Sequence, residues 1–497
     1  MSLKNNFKKY LLMTFCVLAI GIIAYVLFQY PQPGVADQGD FDRVMSASGL
    51  ELTAKDKNDP NFDRFYKYIV TDYKISDLSI QNFFVRIIST SMAYLITLIS
   101  LICKIFGQNI FKTGYLSIAY SLIYVFSMLM IIKYINIKNK IKLIVLCLVI
   151  LFVFLDGNYL VWFNSLYGEA MMITTFMLLI ASYIYYIYHQ YVLKSQEKIV
   201  RRIVFLFIAT FLFLGSKLQV LTSLPIIVYI LGKSLWENKT LINKSNFKIL
   251  CIILCIIVIY PIKINIFNGA ISKDTQYNSV FYGILNGSEN PRQDLIDMGL
   301  NPEMALEAGK HAYLNKEEYV KYVPRTEISE REFYSKMSNG KLVKFYITHP
   351  VRFIQGMEYT AHHAFFTGTS LGKYKRGYSE EPIRNFNRFT KWSSIRSELL
   401  HKTFSFIALV YLMMMGISLF NYIKNKESKE IKAKIQLLWG VMLIGVFQFP
   451  MPFVGNGQAD TTKQLYLFNF VFDIMLVVSV FWCFNKIIDL INFKRNN

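Results

Sequence analysis

Long apolar runs dominate this sequence, about ten in number and most of them near the length that crosses a bilayer. A hydrocarbon core about 30 Å thick needs roughly 20 apolar residues of helix, and segments 10–28 and 465–484 meet that length. Hydrophobic residues make up 54% of the 497 residues, more than a soluble domain needs for its core. The sequence therefore predicts an all-α polytopic membrane protein with about ten transmembrane helices.

The distribution of positive charge predicts the topology. A formal net charge of +21 would normally suggest nucleic acid as a partner, but the Lys and Arg residues fall largely in short segments between apolar runs, so no nucleic acid is expected. Basic loops stay on the cytoplasmic side, which predicts that both termini are cytoplasmic. High Lys, Asn and Ile usage favours a bacterial plasma membrane, with the eukaryotic endoplasmic reticulum as the alternative. The basic clusters occupy residues 4–9, 133–142, 194–202, 233–248, 424–434 and 486–495.

Three apolar stretches lie between the first two basic clusters, and three crossings would place the second cluster outside. We therefore predict that segment 83–106 is an interfacial or re-entrant helix that does not cross the membrane. The predicted regions are a first transmembrane helix at 1–30, a first extracytoplasmic loop at 31–114, a transmembrane bundle at 115–266, a large, mainly helical extracytoplasmic loop at 267–402, and a C-terminal transmembrane bundle with a cytoplasmic tail at 403–497.

An acidic cluster just after the first span is the main candidate for chemistry. Its members are Asp37, Asp40, Asp42 and Arg43. A partly desolvated carboxylate at the outer surface could take a proton from an acceptor hydroxyl, and Arg43 could steady it or bind substrate. The spacing of Asp40 and Asp42 also fits a divalent-metal motif, which leaves a metal site open. The alternative is an acidic capping turn that begins a surface helix.

Two turns between later spans carry polar residues that could bind a substrate. Asn164, Tyr167 and Glu169 lie where one predicted span ends and the next begins. An ionisable group there is costly unless it is used or paired, although Glu169 could simply complement a helix N-terminus. Lys217 and Gln219 interrupt two apolar stretches against the positive-inside trend. An ammonium at that depth could pair with a lipid phosphate, or it could be a snorkelling lysine.

The remaining candidates lie in the last outer loop and near the end of the large loop. Asp460 and Lys463 have the spacing of a local helix pair, in a loop that could bind a ligand or merely turn. His362 and His363 do not form a zinc signature, which needs two histidines four residues apart. A structural or interfacial role is the favoured interpretation of this pair, with substrate binding as the alternative.

The layout of the first half of the chain resembles that of the GT-C glycosyltransferases, polytopic enzymes that use polyprenyl-phosphate sugar donors. The acidic cluster and segment 83–106 look like the essential acidic loop and the interfacial helices of that superfamily. Segment 164–169 is similar in position to its second acidic loop, and segment 215–217 looks like its short Thr-Lys turn. The WWD-type motif of oligosaccharyltransferases is absent from the sequence.

The resemblance implies transfer of a sugar from a lipid-phosphate donor to a cell-envelope glycan or protein acceptor at the outer face. Asp40, with Asp37 as the second choice, would serve as the base. Lys217 would neutralise the leaving phosphate, and Glu169 would orient the acceptor or the sugar. Metal dependence stays open, with Asp40 and Asp42 as the ligands if there is one. The alternatives are a flippase or exporter of lipid-linked glycans, and a polysaccharide polymerase or ligase.

Overall fold

The protein is an all-α polytopic membrane protein in the computed structural model, which describes residues 2–60, 62–76, 88–267 and 269–496. Ten helices of 15 residues or more occupy the regions predicted to be the first transmembrane helix and the two transmembrane bundles. They are α1 (Asn6–Phe28), α2 (Thr113–Tyr134), α3 (Lys140–Phe154), α4 (Gly168–Val192), α5 (Ile199–Leu214), α6 (Leu218–Glu237), α7 (Lys244–Phe267), α8 (Phe404–Lys424), α9 (Lys429–Asn456) and α10 (Tyr466–Ile488).

Eight helices in the described ranges are long and apolar enough to cross a membrane. α3 joins them only together with the short helical segment Gly157–Asn164, from which a bend of 55° separates it. α5 has 16 residues, fewer than a crossing usually needs. Length and composition therefore give eight or nine spans, close to the ten expected.

α4 lies at the centre of the bundle. Its membrane-length window is 94% buried inside the protein, against 28% for α1 and for α7. A helix that is apolar on every side is typically surrounded by other helices, and α4 packs against α2 and α5. Because the first turn of α4 carries Glu169, this central helix brings an acidic group to one end of the bundle.

The first loop contains a small antiparallel sheet that the apolar pattern did not predict. Strands β1 (Leu50–Leu52), β2 (Asp72–Ile75) and β3 (Ile110–Lys112) lie in that order. Runs of three or four residues are too short for a period of two to be visible in sequence. The other elements of this loop are the helices Phe41–Ser48, Ala54–Asn58 and Ser91–Ile105.

The predicted interfacial helix 83–106 falls partly outside the described residues, which omit 77–87. Its described part is the helix Ser91–Ile105, whose 15 residues are fewer than a transmembrane helix needs. That length agrees with a helix that does not cross. Its placement at the membrane surface stays a prediction.

The large loop is mainly helical and has its own apolar core. Tyr277, Phe281 and Phe333 form part of that core, which continues into Phe468 and Phe472 of α10. The loop therefore packs directly on one end of the membrane bundle. Its helical segments are Gly269–Ser279, Val280–Ile284, Pro291–Asp297, Pro302–Glu307, Lys316–Glu318, Glu327–Ser329, Glu330–Tyr334, Asn339–Thr348, Pro350–His362 and Lys391–Leu399.

An extended segment of the large loop holds the first loop in place. The backbone N–H of Gly34 donates to the carbonyl of Lys373 at 2.9 Å, and the N–H of Gly372 donates to the carbonyl of Tyr66 at 2.9 Å. Gly372 permits this close approach, because a Cβ there would lie 1.7 Å from the carbonyl oxygen of Lys67. These contacts fix the chain on both sides of the acidic cluster.

We expect Gly372→Ala to lower the free energy of unfolding by about 1–3 kcal/mol, because the added Cβ forces two chain segments apart. Gly368→Ala is the matched control, since a Cβ there meets nothing nearer than the Asn158 side chain at 4.0 Å. Thermal unfolding of the two purified variants in detergent measures the difference. Equal unfolding midpoints would contradict the close approach at Gly372.

A buried ion pair fastens the large loop to the last span. Nη1 of Arg396, on the helix Lys391–Leu399, donates to Oδ2 of Asp473 in α10 at 2.5 Å, and both side chains are fully buried. The hydroxyl of Tyr159 donates to the same carboxylate oxygen at 2.6 Å. The negative charge of Asp473 within α10 is therefore neutralised by a residue of the loop.

Candidate active site

One polar cavity lies at the end of the bundle where the large loop packs. Its volume is about 400 Å³. Residues of the first loop, the large loop, the short turns between helices and the loop between α9 and α10 line it. Five candidates from the sequence lie outside its lining, namely Asp37, Asp42, Asn164, His362 and His363. Eight candidates line it: Asp40, Arg43, Tyr167, Glu169, Lys217, Gln219, Asp460 and Lys463.

The carboxylate of Asp40 forms ion pairs with two basic side chains. Nη2 of Arg43 lies 2.5 Å from Oδ1, and Nζ of Lys463 lies 2.8 Å from Oδ2. The Asp40 side chain is 32% exposed and that of Lys463 is 10% exposed, so the pair is partly shielded from water. Lys463 also lies 3.9 Å from Asp460, whose Oδ2 accepts a hydrogen bond from the Gln38 amide at 2.8 Å. The first loop and the loop between α9 and α10 therefore meet at Asp40.

The pKa values of this pair follow from its charges. Burial alone would raise the pKa of Asp40, but attraction from Lys463, and then from Arg43, holds it well below its ordinary value. Burial would lower the pKa of Lys463, but the carboxylates of Asp40 and Asp460 raise it above its ordinary value. Both groups are therefore charged at neutral pH.

A second ion pair lines the same cavity. Oε1 of Glu169, whose side chain is 1% exposed, lies 2.6 Å from Nζ of Lys217, which is 24% exposed. Gly168 lets the turn between α5 and α6 come close to the start of α4, because a Cβ there would lie 3.0 Å from the carbonyl oxygen of Ser216. Lys217 is the partner that a ligand in the cavity can reach.

Asp37 has a different environment from Asp40. Its Oδ1 accepts hydrogen bonds from the N–H groups of Gly39 at 2.7 Å and of Asp40 at 2.9 Å, and its Oδ2 lies 3.6 Å from Nε of Arg64. The side chain is 2% exposed, and burial raises the pKa of Asp37. Gly39 has a φ of +108°, which favours glycine. Asp37 thus shapes the turn that carries Asp40.

Tyr167 and Asn164 connect this turn to the bundle. The hydroxyl of Tyr167 donates to the carbonyl of Ala36 at 2.9 Å, and its ring centre lies 5.2 Å from Nζ of Lys463. The amide of Asn164 donates to the carbonyl of Pro33 at 2.6 Å. Tyr167 therefore both lines the cavity and anchors the acidic turn, while Asn164 contributes only an anchor.

The histidine pair is separate from the cavity. His362 has a side chain 64% exposed, with Nε2 at 3.9 Å from Glu358. Nδ1 of His363 lies 2.9 Å from the carbonyl oxygen of Tyr359. In this arrangement both residues contact their own helix.

The residues present do not fit a divalent-metal site. Oδ2 of Asp42 lies 2.6 Å from Nη2 of Arg64, while Asp40 is held by other cations. Over the residues that the structure describes, no group of three or more His, Cys, Asp or Glu side chains is arranged to hold a metal ion.

Several residues of the site carried no signal in the sequence. Arg64 is 8% exposed and lies close to both Asp37 and Asp42, yet it stands 22 residues from Asp42 in a loop with no regular spacing. Thr275 and Tyr313 of the large loop also line the cavity. Only the tertiary fold brings these residues to the acidic cluster.

The fold and the cavity together define a class, the multi-pass helical membrane proteins with a charged cavity at one end of the bundle. Residues 2–497 match the family described as the YfdI N-terminal transmembrane domain. The chain therefore belongs to this family. No curated protein sequence matches it significantly.

Among solved structures, the chain is similar to the archaeal oligosaccharyltransferase AglB from Archaeoglobus fulgidus, determined with an inhibitory peptide and a dolichol-phosphate. The sequence identity is 13% and the TM-score is 0.40. The similarity covers 99% of this chain and 52% of that one, so the chain spans about half the length of the archaeal protein. A TM-score at this level does not establish a common fold.

Proposed function

We propose that this protein transfers a sugar from a polyprenyl-phosphate donor to a cell-envelope glycan or protein acceptor, at the outer face of a bacterial plasma membrane. The observation that carries the proposal is the shared cavity, in which the carboxylate of Asp40 lies together with Lys217 and Lys463. Displacement of a lipid phosphate requires a base and an anion-binding group in one partly enclosed space. The cavity supplies both.

The proposed reaction is an inverting displacement at the anomeric carbon. Asp40 accepts the proton of the acceptor hydroxyl while the acceptor oxygen forms a bond to that carbon. The bond from the carbon to the phosphate oxygen breaks, and its electron pair leaves with the lipid phosphate. Lys217 stabilises the charge that develops on the phosphate, and Glu169 holds Lys217 in position.

The strength of Asp40 as a base is proposed to depend on whether the donor is bound. With Arg43 and Lys463 as partners, the carboxylate is a weak base. A donor phosphate in the cavity competes for Lys463, because phosphate is a strong charge-assisted partner of an ammonium group. The pKa of Asp40 then rises toward its ordinary value, so the base strengthens when the donor is in place.

Residues from the first loop and from the large loop enclose the reacting groups. Thr90 and Met92 of the first loop line the cavity, and so do Thr275 and Tyr313 of the large loop. Enclosure of this kind excludes water that would otherwise hydrolyse the donor. The two loops are therefore proposed to favour transfer to the acceptor over transfer to water.

Lys463→Gln should move the acid limb of the kcat/KM profile to higher pH. The activity depends on ionised Asp40, and the lysine holds the pKa of that carboxyl low, so its removal raises the pKa and activity is lost at a higher pH as pH falls. Transfer rates measured from about pH 3 to pH 8, a range that begins below the ordinary Asp pKa of about 3.9, give the two profiles.

Lys321→Gln is the control for this profile. Lys321 pairs with Glu303 at 3.0 Å on the exposed surface of the large loop and does not line the cavity. Its profile should coincide with that of the wild type. If Lys463→Gln lowers the rate but leaves the acid limb in place, Asp40 is not the group that must be ionised.

The configuration of the product tests the proposed displacement. Labelled polyprenyl-phosphate sugars and membrane glycans are incubated with the purified protein in vesicles, and the anomeric configuration of the new linkage is read by NMR. The mechanism predicts inversion relative to the donor. Retention would indicate a covalent glycosyl-enzyme and remove Asp40 from the role of a base.

A further inference from the structure

A second cavity, at the opposite end of the bundle from Asp40, is lined by cations. It lies between α1, α2, α4 and α5 and has a volume of about 1050 Å³. Among the residues that the structure describes, no Asp or Glu lines it. The cations that do are Lys8, Lys9, Lys133, Lys198, Arg201 and Arg202.

Arg202 is the buried member of this group. Its side chain is 3% exposed, and Nη2 donates to the carbonyl of Ser195 at 3.0 Å and to the carbonyl of Glu197. Its Nη1 is buried without a hydrogen-bond partner. Burial of an unpaired guanidinium nitrogen is costly, so this group is suited to an acceptor that enters the cavity.

The other cations are crowded together without a neutralising anion in the lining. Nζ of Lys8 donates to the backbone carbonyl of Lys133 at 2.6 Å, and the charge of Lys133 lies near enough to repel that of Lys8. The carboxylate of Glu197 attracts Arg202 but is not part of the lining. A bound anion would relieve this repulsion.

The walls of the cavity are apolar. Leu12 and Met13 of α1, Phe126 and Leu129 of α2, and Phe205 of α5 form much of its surface. A basic pocket between transmembrane helices whose walls continue as apolar side chains is suited to a phosphate headgroup with hydrocarbon tails. Free inorganic phosphate would use the cations but not these walls.

We propose that this cavity binds the phosphate headgroup of an anionic phospholipid from the leaflet at the basic end of the bundle. Nη1 of Arg202 donates to the headgroup phosphate, and the neighbouring lysines neutralise its charge. The acyl chains lie along α1 and α2. This site is separate from the cavity at Asp40, and it does not depend on the reaction proposed there.

Native mass spectrometry of the purified full-length protein, exchanged into phosphatidylglycerol or phosphatidylcholine, tests the proposal. We expect one phosphatidylglycerol to be retained in preference to phosphatidylcholine. Arg202→Gln should weaken that retention about five- to tenfold, which corresponds to loss of one cation near a phospholipid surface. Because Arg202 is buried, the double variant Lys133→Gln/Arg201→Gln, at two exposed positions, is measured as well. It removes two cations and should weaken retention at least as much.

Lys239→Gln is the matched control, because Lys239 is exposed, stacks over Trp236 and does not line the cavity. It should retain phosphatidylglycerol like the wild type. Equal retention of the two lipids, or retention unchanged in both Arg202→Gln and the double variant, would overturn the proposal. Displacement of the lipid by millimolar inorganic phosphate would assign the site to free phosphate and overturn it too.

Discussion

Asp40→Asn should lower the rate of sugar transfer by about 100- to 10,000-fold, which is the contribution of a general base. The amide keeps the size of the carboxylate but cannot accept the proton of the acceptor hydroxyl. Asp40 is only half-buried, so the variant should fold and should still bind the donor through Lys217. Transfer and donor binding are measured in the same vesicles at equal protein concentration.

Two further variants are the controls for the transfer rate of Asp40→Asn. Glu51→Gln removes an exposed carboxylate of the same loop, paired with Lys57 at 3.0 Å, and should leave the rate unchanged. Asp42→Asn distinguishes a general base at Asp40 from a metal ligand there. A metal ion shared by the two carboxylates would make Asp40 and Asp42 equally important for the transfer rate. A rate for Asp40→Asn equal to that of the wild type would rule out this residue as the base.

Arg396→Met should lower the free energy of unfolding by about 3–5 kcal/mol, because it leaves the buried carboxylate of Asp473 without its cation. The effect is large because Nη1 of Arg396 also donates to Tyr159 and Nε donates to the carbonyl of Phe365. Denaturation of the purified protein in mixed micelles measures the change. The loop and the last span should separate at lower denaturant.

The double variant Arg396→Met/Asp473→Leu should recover most of this stability, since removing both charges of a buried pair costs far less than removing one. Arg331→Met is the surface control. Arg331 has a side chain 75% exposed and pairs with Glu332, an arrangement worth about 0–1 kcal/mol. A single Arg396→Met variant as stable as this control would show that the pair does not hold the loop.

The membrane-spanning helices could be predicted because each depends only on the length and hydrophobicity of its own segment. Twenty apolar residues have few alternatives to a membrane helix, and α1 and α10 follow directly from that rule. The short helix α5 is ambiguous for the same reason, since its 16 residues fall below the limit. The small sheet escaped prediction because strands such as Leu50–Leu52 depend on pairing with distant partners.

Eight of the candidate residues line one cavity, but the contacts among them could not be predicted from the sequence. Glu169 and Lys217 were singled out because charges at span ends are costly, and the structure pairs them at 2.6 Å. Sequence gave no means of pairing Asp40 with Lys463, which lies 423 residues away. Asp37 and Asp40 also looked equivalent in sequence, and only their hydrogen bonds distinguish a residue that shapes the turn from one that faces the cavity.

Sugar transfer and lipid translocation, followed together in vesicles that contain the purified protein and a labelled polyprenyl-phosphate sugar, test the central claim most directly. A one-sided cavity at the end of the bundle predicts that label passes to the acceptor and that lipid phosphate is released, with no movement of intact donor between leaflets. Movement of lipid-linked glycan between leaflets without any transfer would contradict the enzyme and indicate a flippase.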